Sequence, residues 1–300
     1  MKKKTYLFTL MAMVLTLGSC SDNENGIGGE ASKYITVSTS IGNMTRVATD
    51  ANGGQTFEEG DEISVYAWTG DATVAPETRE RVVNNAINKL TNGSWVSTPQ
   101  MLWKNNRDKH YFIGVYPISA ISDLSAGEYT FDVNKQTESD LLVAVNKDGL
   151  SYNVDEQQTV PLTFTHVMAK LVVNLTYKNQ WGGIPTVEKV VVGNAAKEAT
   201  INYLTKVVTP STTAKEDFSL PEITENTKYV SVIIPQEEVK QLTIVIGGKN
   251  FVYDNGTPFK LESGKITTVN LEVGRDEIKL GDVKITDWEN GSTFSGEALN

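Results

Sequence analysis

The sequence predicts an all-β chain built as two tandem antiparallel β-sandwiches, and three observations carry that expectation. From Lys33 onward apolar and polar residues alternate in short runs, the period-2 pattern of a strand with one buried face. Gly, Asn, Asp and Pro bound nearly every run, and sustained helical periodicity is almost absent. A chain of 300 residues has the length for two ordinary cores rather than one, and each strand needs a second sheet to cover its apolar face.

The N-terminus stands apart from this pattern. MKKKTYLFTLMAMVLTLGSC places three lysines before an apolar segment from Tyr6 to Leu17, then Gly18 and Ser19 ahead of Cys20. Residues 1–19 read as a secretory signal. The apolar segment is shorter than the roughly 20 residues a membrane-spanning helix needs, and no later segment comes close. Cys20 is the only cysteine, whereas exported proteins use cysteines in pairs when they build disulfides. LGSC (17–20) resembles the lipobox of bacterial lipoproteins, which makes Cys20 the expected acceptor of acyl chains; the competing reading is a leftover thiol in a discarded signal. Residues 20–32 are polar and glycine-bearing, as a flexible tether between lipid and domain should be.

The strands then follow in order. YITVSTSI (34–41) sets Ile35, Val37 and Ile41 on one side, and EISVYAW (62–68) sets Ile63 and Val65 against Tyr66 and Trp68. RVVNNAINKL (81–90) suits a short helix or an irregular strand. HYFIGVYP (110–117), EYTFDV (128–133), DLLVAV (140–145) and VPLTF (160–164) complete the first half. The junction is expected near Thr165, giving domains 33–165 and 166–300, with no Pro/Gly linker between them. The second half repeats the style at 167–175, 187–192, 229–235, 240–246, 250–254, 266–273 and 283–288, with Gly247 and Gly248 marking a tight hairpin. Near the end, Ile278 with Leu280 and Val283 with Ile285 form two alternating pairs whose phase shifts across Gly281 and Asp282. That pattern fits two short strands or one bulged strand.

Catalytic and cofactor chemistry finds little support. The two histidines, His110 and His166, stand near no cysteine or carboxylate at metal-ligand spacing, so both are expected to be structural. Asp50, Asn52 and Gly53 open like a calcium loop, but Gln55 occupies the place of the sharp-turn glycine. No nucleophile elbow, phosphate loop or zinc motif occurs, and no catalytic residue, metal or cofactor is expected. A formal charge of -10 argues against the basic stripe a nucleic-acid binder uses against phosphates, and no run of basic residues follows Lys4. Trp181, in NQWGGIP, is the best candidate for an exposed aromatic that a sugar face would pack on.

FEEGDEISVYAW (57–68), MLWKNNRDKHYFIGVYP (101–117), SDLLVA (139–144), PLTFTHVMAKLVVNL (161–175) and ITDWENG (285–291), in that order behind the LGSC motif, resemble the fimbrillin family of lipoprotein-derived pilins over nearly the whole chain. The resemblance implies two transthyretin-like β-sandwiches in tandem and a non-catalytic subunit or adhesin of a fimbrium. It implies assembly by strand donation with other fimbrial subunits, after an arginine-specific protease removes the first strand. Arg46, in SIGNMTRVATDANGG, matches that cleavage position. Residues 34–41 would be the displaced strand, and 278–285 the candidate donor; the alternative for 278–288 is the last strand of the second domain. Cell outer-membrane attachment through lipid on Cys20 and contact with a surface glycan or protein complete the expectation. The alternative is an anchored glycan-binding lipoprotein that never polymerises.

Overall fold

Residues 33–42, 56–156, 158–254 and 256–288 are described by a computed structural model. The first half contributes β1 (Thr36–Ile41), β2 (Glu62–Thr69), β3 (Arg81–Thr91), β4 (Ser94–Thr98), β5 (His110–Tyr116), β6 (Gly127–Thr130), β7 (Leu142–Leu150) and β8 (Thr159–His166). A single-turn helix, α1 (Gln136–Ser139), precedes β7. The second half contributes β9 (Ala169–Tyr177), β10 (Val187–Ala196), β11 (Glu198–Asn202), β12 (Val207–Pro210), β13 (Lys215–Ser219), β14 (Glu222–Thr224) and β15 (Lys228–Ile233). It ends with β16 (Gln241–Ile246), β17 (Lys249–Asp254), β18 (Lys265–Val273) and β19 (Ile278–Asp287). The chain is all-β, as its alternation predicts.

β1 to β8, without β6, form one seven-stranded sheet in the order β1-β8-β7-β5-β2-β3-β4. Its inner face packs Ile63, Val65, Ala67, Phe112, Ala144, Leu162 and Phe164 into one core. The other face of the same strands presents Tyr66, Trp68, Ile113, Val115 and Val143 to a second core that continues into the C-terminal strands. Strands covered on both faces carry apolar residues at successive positions, which explains the dense runs in β2, β5 and β7. The segment 81–90 is the irregular strand of the two options. Two register shifts against β2, with Asn85 at a φ of 55°, break the alternation that would otherwise have identified it.

The C-terminal strands form a four-stranded sheet, β13-β10-β16-β17, and a five-stranded sheet, β14-β15-β9-β18-β19, with the second core between them. Gly247 and Gly248, at φ values of 58° and 72°, make the predicted tight hairpin between β16 and β17. The halves are stitched together on either side of Thr165. β6 pairs with β11 in a three-stranded sheet with β12. The Gln136 side chain accepts from the Val232 amide at 2.7 Å and donates to Ser231 Oγ at 3.0 Å. Two pairings run parallel, β1 with β8 and β9 with β18. Parallel partners need long connections, and in both pairs the two strands lie far apart in the chain.

Candidate functional site

The first strand closes a seam. β1 lies parallel to β8 in a continuous register from Thr36 opposite Thr159 to Ile41 opposite Phe164, and the Gly42 amide donates to the Phe164 carbonyl at 2.8 Å. On its other side the chain meets the segment after β4. Tyr34 bridges Leu102 in antiparallel fashion, the Ile35 amide donates to the Met101 carbonyl at 2.9 Å, and the Trp103 amide donates to the Lys33 carbonyl at 3.2 Å. Trp95 adds an indole N–H bond to Thr39 Oγ1 at 3.0 Å. The two ends of the seven-stranded sheet, β1 and β4, are thereby drawn towards each other across the core.

Ile35 and Val37 are 2% and 6% exposed, and Ile41 is half-buried. All three point into the same core, beside Met101, Trp103, Val160, Leu162 and Phe164. Ser38 and Ser40 face out, where Ser40 Oγ donates to Thr163 Oγ1 at 3.2 Å. Beneath β1, Phe164 lies so close to β5 that a Cβ at Gly114 would sit 2.7 Å from its ring, so only glycine leaves room there. Phe57, just ahead of β2, closes the same core. Its ring meets those of Trp95, Tyr116 and Phe164 edge-on at 5.1 to 5.3 Å. Sequence reading did not assign these roles to Phe57, Trp95 and Met101; a lone aromatic before an acidic turn, FEEGD, was the available sign.

The C-terminal strand is one bulged strand. Asn270 faces Asp282 and Leu271 faces Leu280, so Gly281 is the inserted residue, and the predicted phase shift lies at that point. β19 pairs only with β18 and forms the edge of its sheet. Ile278 and Leu280 are half-buried against the second core, whereas Val283 and Ile285 remain 40% and 38% exposed. Trp288, immediately after the strand, is buried. Its ring stacks on His166 with centroids 4.0 Å apart and planes 6° apart. His166 Nδ1 lies 2.8 Å from Asp140 Oδ1. Lys170 Nζ is 5.2 Å from the Trp288 ring centroid, and burial pulls its ammonium down to about 8.

The remaining expected sites fall elsewhere. Trp181 is half-buried rather than exposed. Its indole N–H donates to the Val273 carbonyl at 3.0 Å, its ring meets Phe251, and the Arg275 guanidinium lies 5.5 Å from its centroid. Cys20 and Arg46 lie outside the described residues. Among the described residues no group of three or more His, Cys, Asp or Glu side chains is placed to hold a metal ion. An open surface hollow of about 510 Å³ is lined by residues that include Asn106, Tyr152, Asn153 and Gln158, with no carboxylate, lysine or histidine. No helix among the described residues is long and apolar enough to cross a membrane.

Comparison with known proteins agrees with this architecture. "Putative fimbrium subunit Fim1C" of Bacteroides uniformis is 25% identical over 323 aligned positions, covering 99% of this chain and all of that protein. The crystal structure of a "putative cell adhesion protein" from the same species superposes with a TM-score of 0.63 at 20% identity, covering 86% of this chain and 100% of that one. A fimbrial protein from Bacteroides vulgatus gives a TM-score of 0.50 at 13% identity, covering 84% and 99%. At these identities the two structures speak to fold alone. The fimbrillin-like family model matches residues 45–288. That span begins just past β1 and ends on Trp288, taking in both cores apart from the β1 side chains and including the bulged last strand, and the chain belongs to the fimbrillin-like family.

Proposed function

We propose that this protein is a non-catalytic structural or adhesive subunit of a fimbrium, exported as a lipoprotein and assembled with other subunits by strand exchange. In this reading residues 1–19 are the signal, Cys20 carries the lipid that holds the precursor at the outer membrane, and 20–32 are its tether. Residues 33–165 and 166–300 are the N-terminal and C-terminal sandwiches, of the transthyretin-like kind. Cleavage after Arg46 frees β1, and a strand from a neighbour, with 278–285 as the candidate, fills the vacated groove.

The observation that carries the reading is the placement of β1. It is an edge strand in parallel pairing, Arg46 follows it by five residues in the sequence, and it covers an apolar groove. Removing it would expose the positions of Ile35 and Val37, each worth roughly 1.5–3 kcal/mol of burial. It would also leave a row of β8 backbone groups unpaired, at about 1 kcal/mol per net hydrogen bond. An open edge over an apolar groove is a template for another strand. Phe57, anchored between Trp95, Tyr116 and Phe164, would hold the new N-terminus in place after the cut.

The test is digestion of the purified precursor with an arginine-specific protease. The expected product is a chain beginning at Val47 that forms SDS-resistant ladders. A chain that remains uncut at Arg46 and monomeric contradicts the reading.

A further inference from the structure

β19 is held to β18 by its backbone ladder but buries little side chain until its end. Residues 281–287 are all exposed, and the strand has a neighbour on one side only. A segment with so little burial opens locally at low cost. Trp288 reverses that trend, being only 7% exposed. Its amide donates to the Gly264 carbonyl at 3.0 Å, and its indole lies flat on His166 within cation–π distance of Lys170.

The shelf beneath the indole is assembled from distant parts of the chain. His166 ends β8, where it pairs with Leu142 and is fixed by Asp140. Lys170 belongs to β9, and Gly264 precedes β18. β8 is also the strand that receives β1, with Phe164 opposite Ile41. The two strands of the proposed exchange therefore meet the same short segment, one beside Phe164 and the other at His166.

We propose that Trp288 is a latch. It keeps the C-terminal strand on its own sheet, and its departure from the His166 shelf is the step that releases 278–288 to a neighbouring subunit. The holding role stands on the geometry alone, while the releasing role rests on the strand-exchange reading above.

Native-state hydrogen exchange on the full chain tests the first part. In Trp288→Ala the amides of 278–287 should exchange roughly tenfold faster or more, while those of β9 and β15 keep their protection. His166→Ala should reproduce the effect, and Trp288→Phe, which retains a stacking ring, should largely restore slow exchange. Unchanged exchange in Trp288→Ala, or a collapse of protection throughout the second core, overturns the latch. The ladder assay after arginine-specific cleavage tests the second part, with faster ladder formation expected for Trp288→Ala. Faster exchange with no change in ladder rate retains the latch and overturns its part in assembly. Cleavage at Arg46 without ladders in either protein counts against strand exchange itself.

Discussion

His110 shows how one buried polar residue acts as structure rather than chemistry. The Lys104 amide donates to Nε2 at 2.9 Å, so Nδ1 carries the proton and donates to the Asp108 carbonyl at 3.1 Å. Trp103 packs edge-on against the ring. The neutral imidazole thus ties the 104–108 loop to the start of β5, and burial pushes its pKa below the usual imidazole range. The unfolded chain therefore takes up a proton near pH 6.5 before the folded one does. Stability contributed by His110 is present above that pH and is lost as pH falls through the lowered folded value. In thermal unfolding at pH 7.5 and pH 5, His110→Gln should be destabilised at the higher pH but lose less on acidification. An identical acid response in both proteins would remove His110 as the cause. The structural reading of His110 was available from its sequence context. The His166 stack on Trp288 was not, because it joins residues 122 positions apart.

Among the elements, legibility followed burial and regularity. β2, β5, β10 and β16 each have enough buried positions in register to show themselves as runs. β4 and β12 to β14 escaped notice because they are short and largely exposed, and such strands draw their order from neighbours rather than from their own pattern; β11 alternates in burial but is only five residues long. β19 was legible in part: the phase shift across Gly281 and Asp282 fitted either two short strands or one bulged strand, and pairing with β18 selects the single strand, with its bulge at Gly281. Its exposure yields a further prediction. Val283→Asp with Ile285→Asp replaces two half-open side chains on an edge strand, so the isolated subunit should lose about 1 kcal/mol or less in denaturant unfolding. If 278–285 is the donor, the same pair should abolish ladders, since each aspartate would be carried into an apolar groove. Undiminished ladder formation would mean that the donor lies elsewhere.

At the scale of the molecule, two cores share one sheet. The seven-stranded sheet gives one face to the core under β1 and the other to the core that runs on to β19. This sharing explains why no linker marks the middle of the chain. On the proposed reading, loss of β1 would open the first core at its seam while β2, β5 and β7 stay covered by the second. Alternation alone could not reveal that β1 pairs parallel with β8, since one-sided burial reads the same in either direction. It did show which side chains the groove receives, Ile35, Val37 and Ile41.

The central claim is that β1 must leave its place for subunits to join. Ser40 Oγ and Thr163 Oγ1 lie 3.2 Å apart across the β1–β8 pair, a spacing that suits an engineered disulfide. The decisive measurement is ladder formation by Ser40→Cys with Thr163→Cys, in a Cys20→Ser background, after arginine-specific cleavage under oxidising and reducing conditions. The account predicts monomers while the staple is closed and SDS-resistant ladders once a thiol reductant opens it. Equal ladders with the staple closed would show that subunits join without vacating this groove.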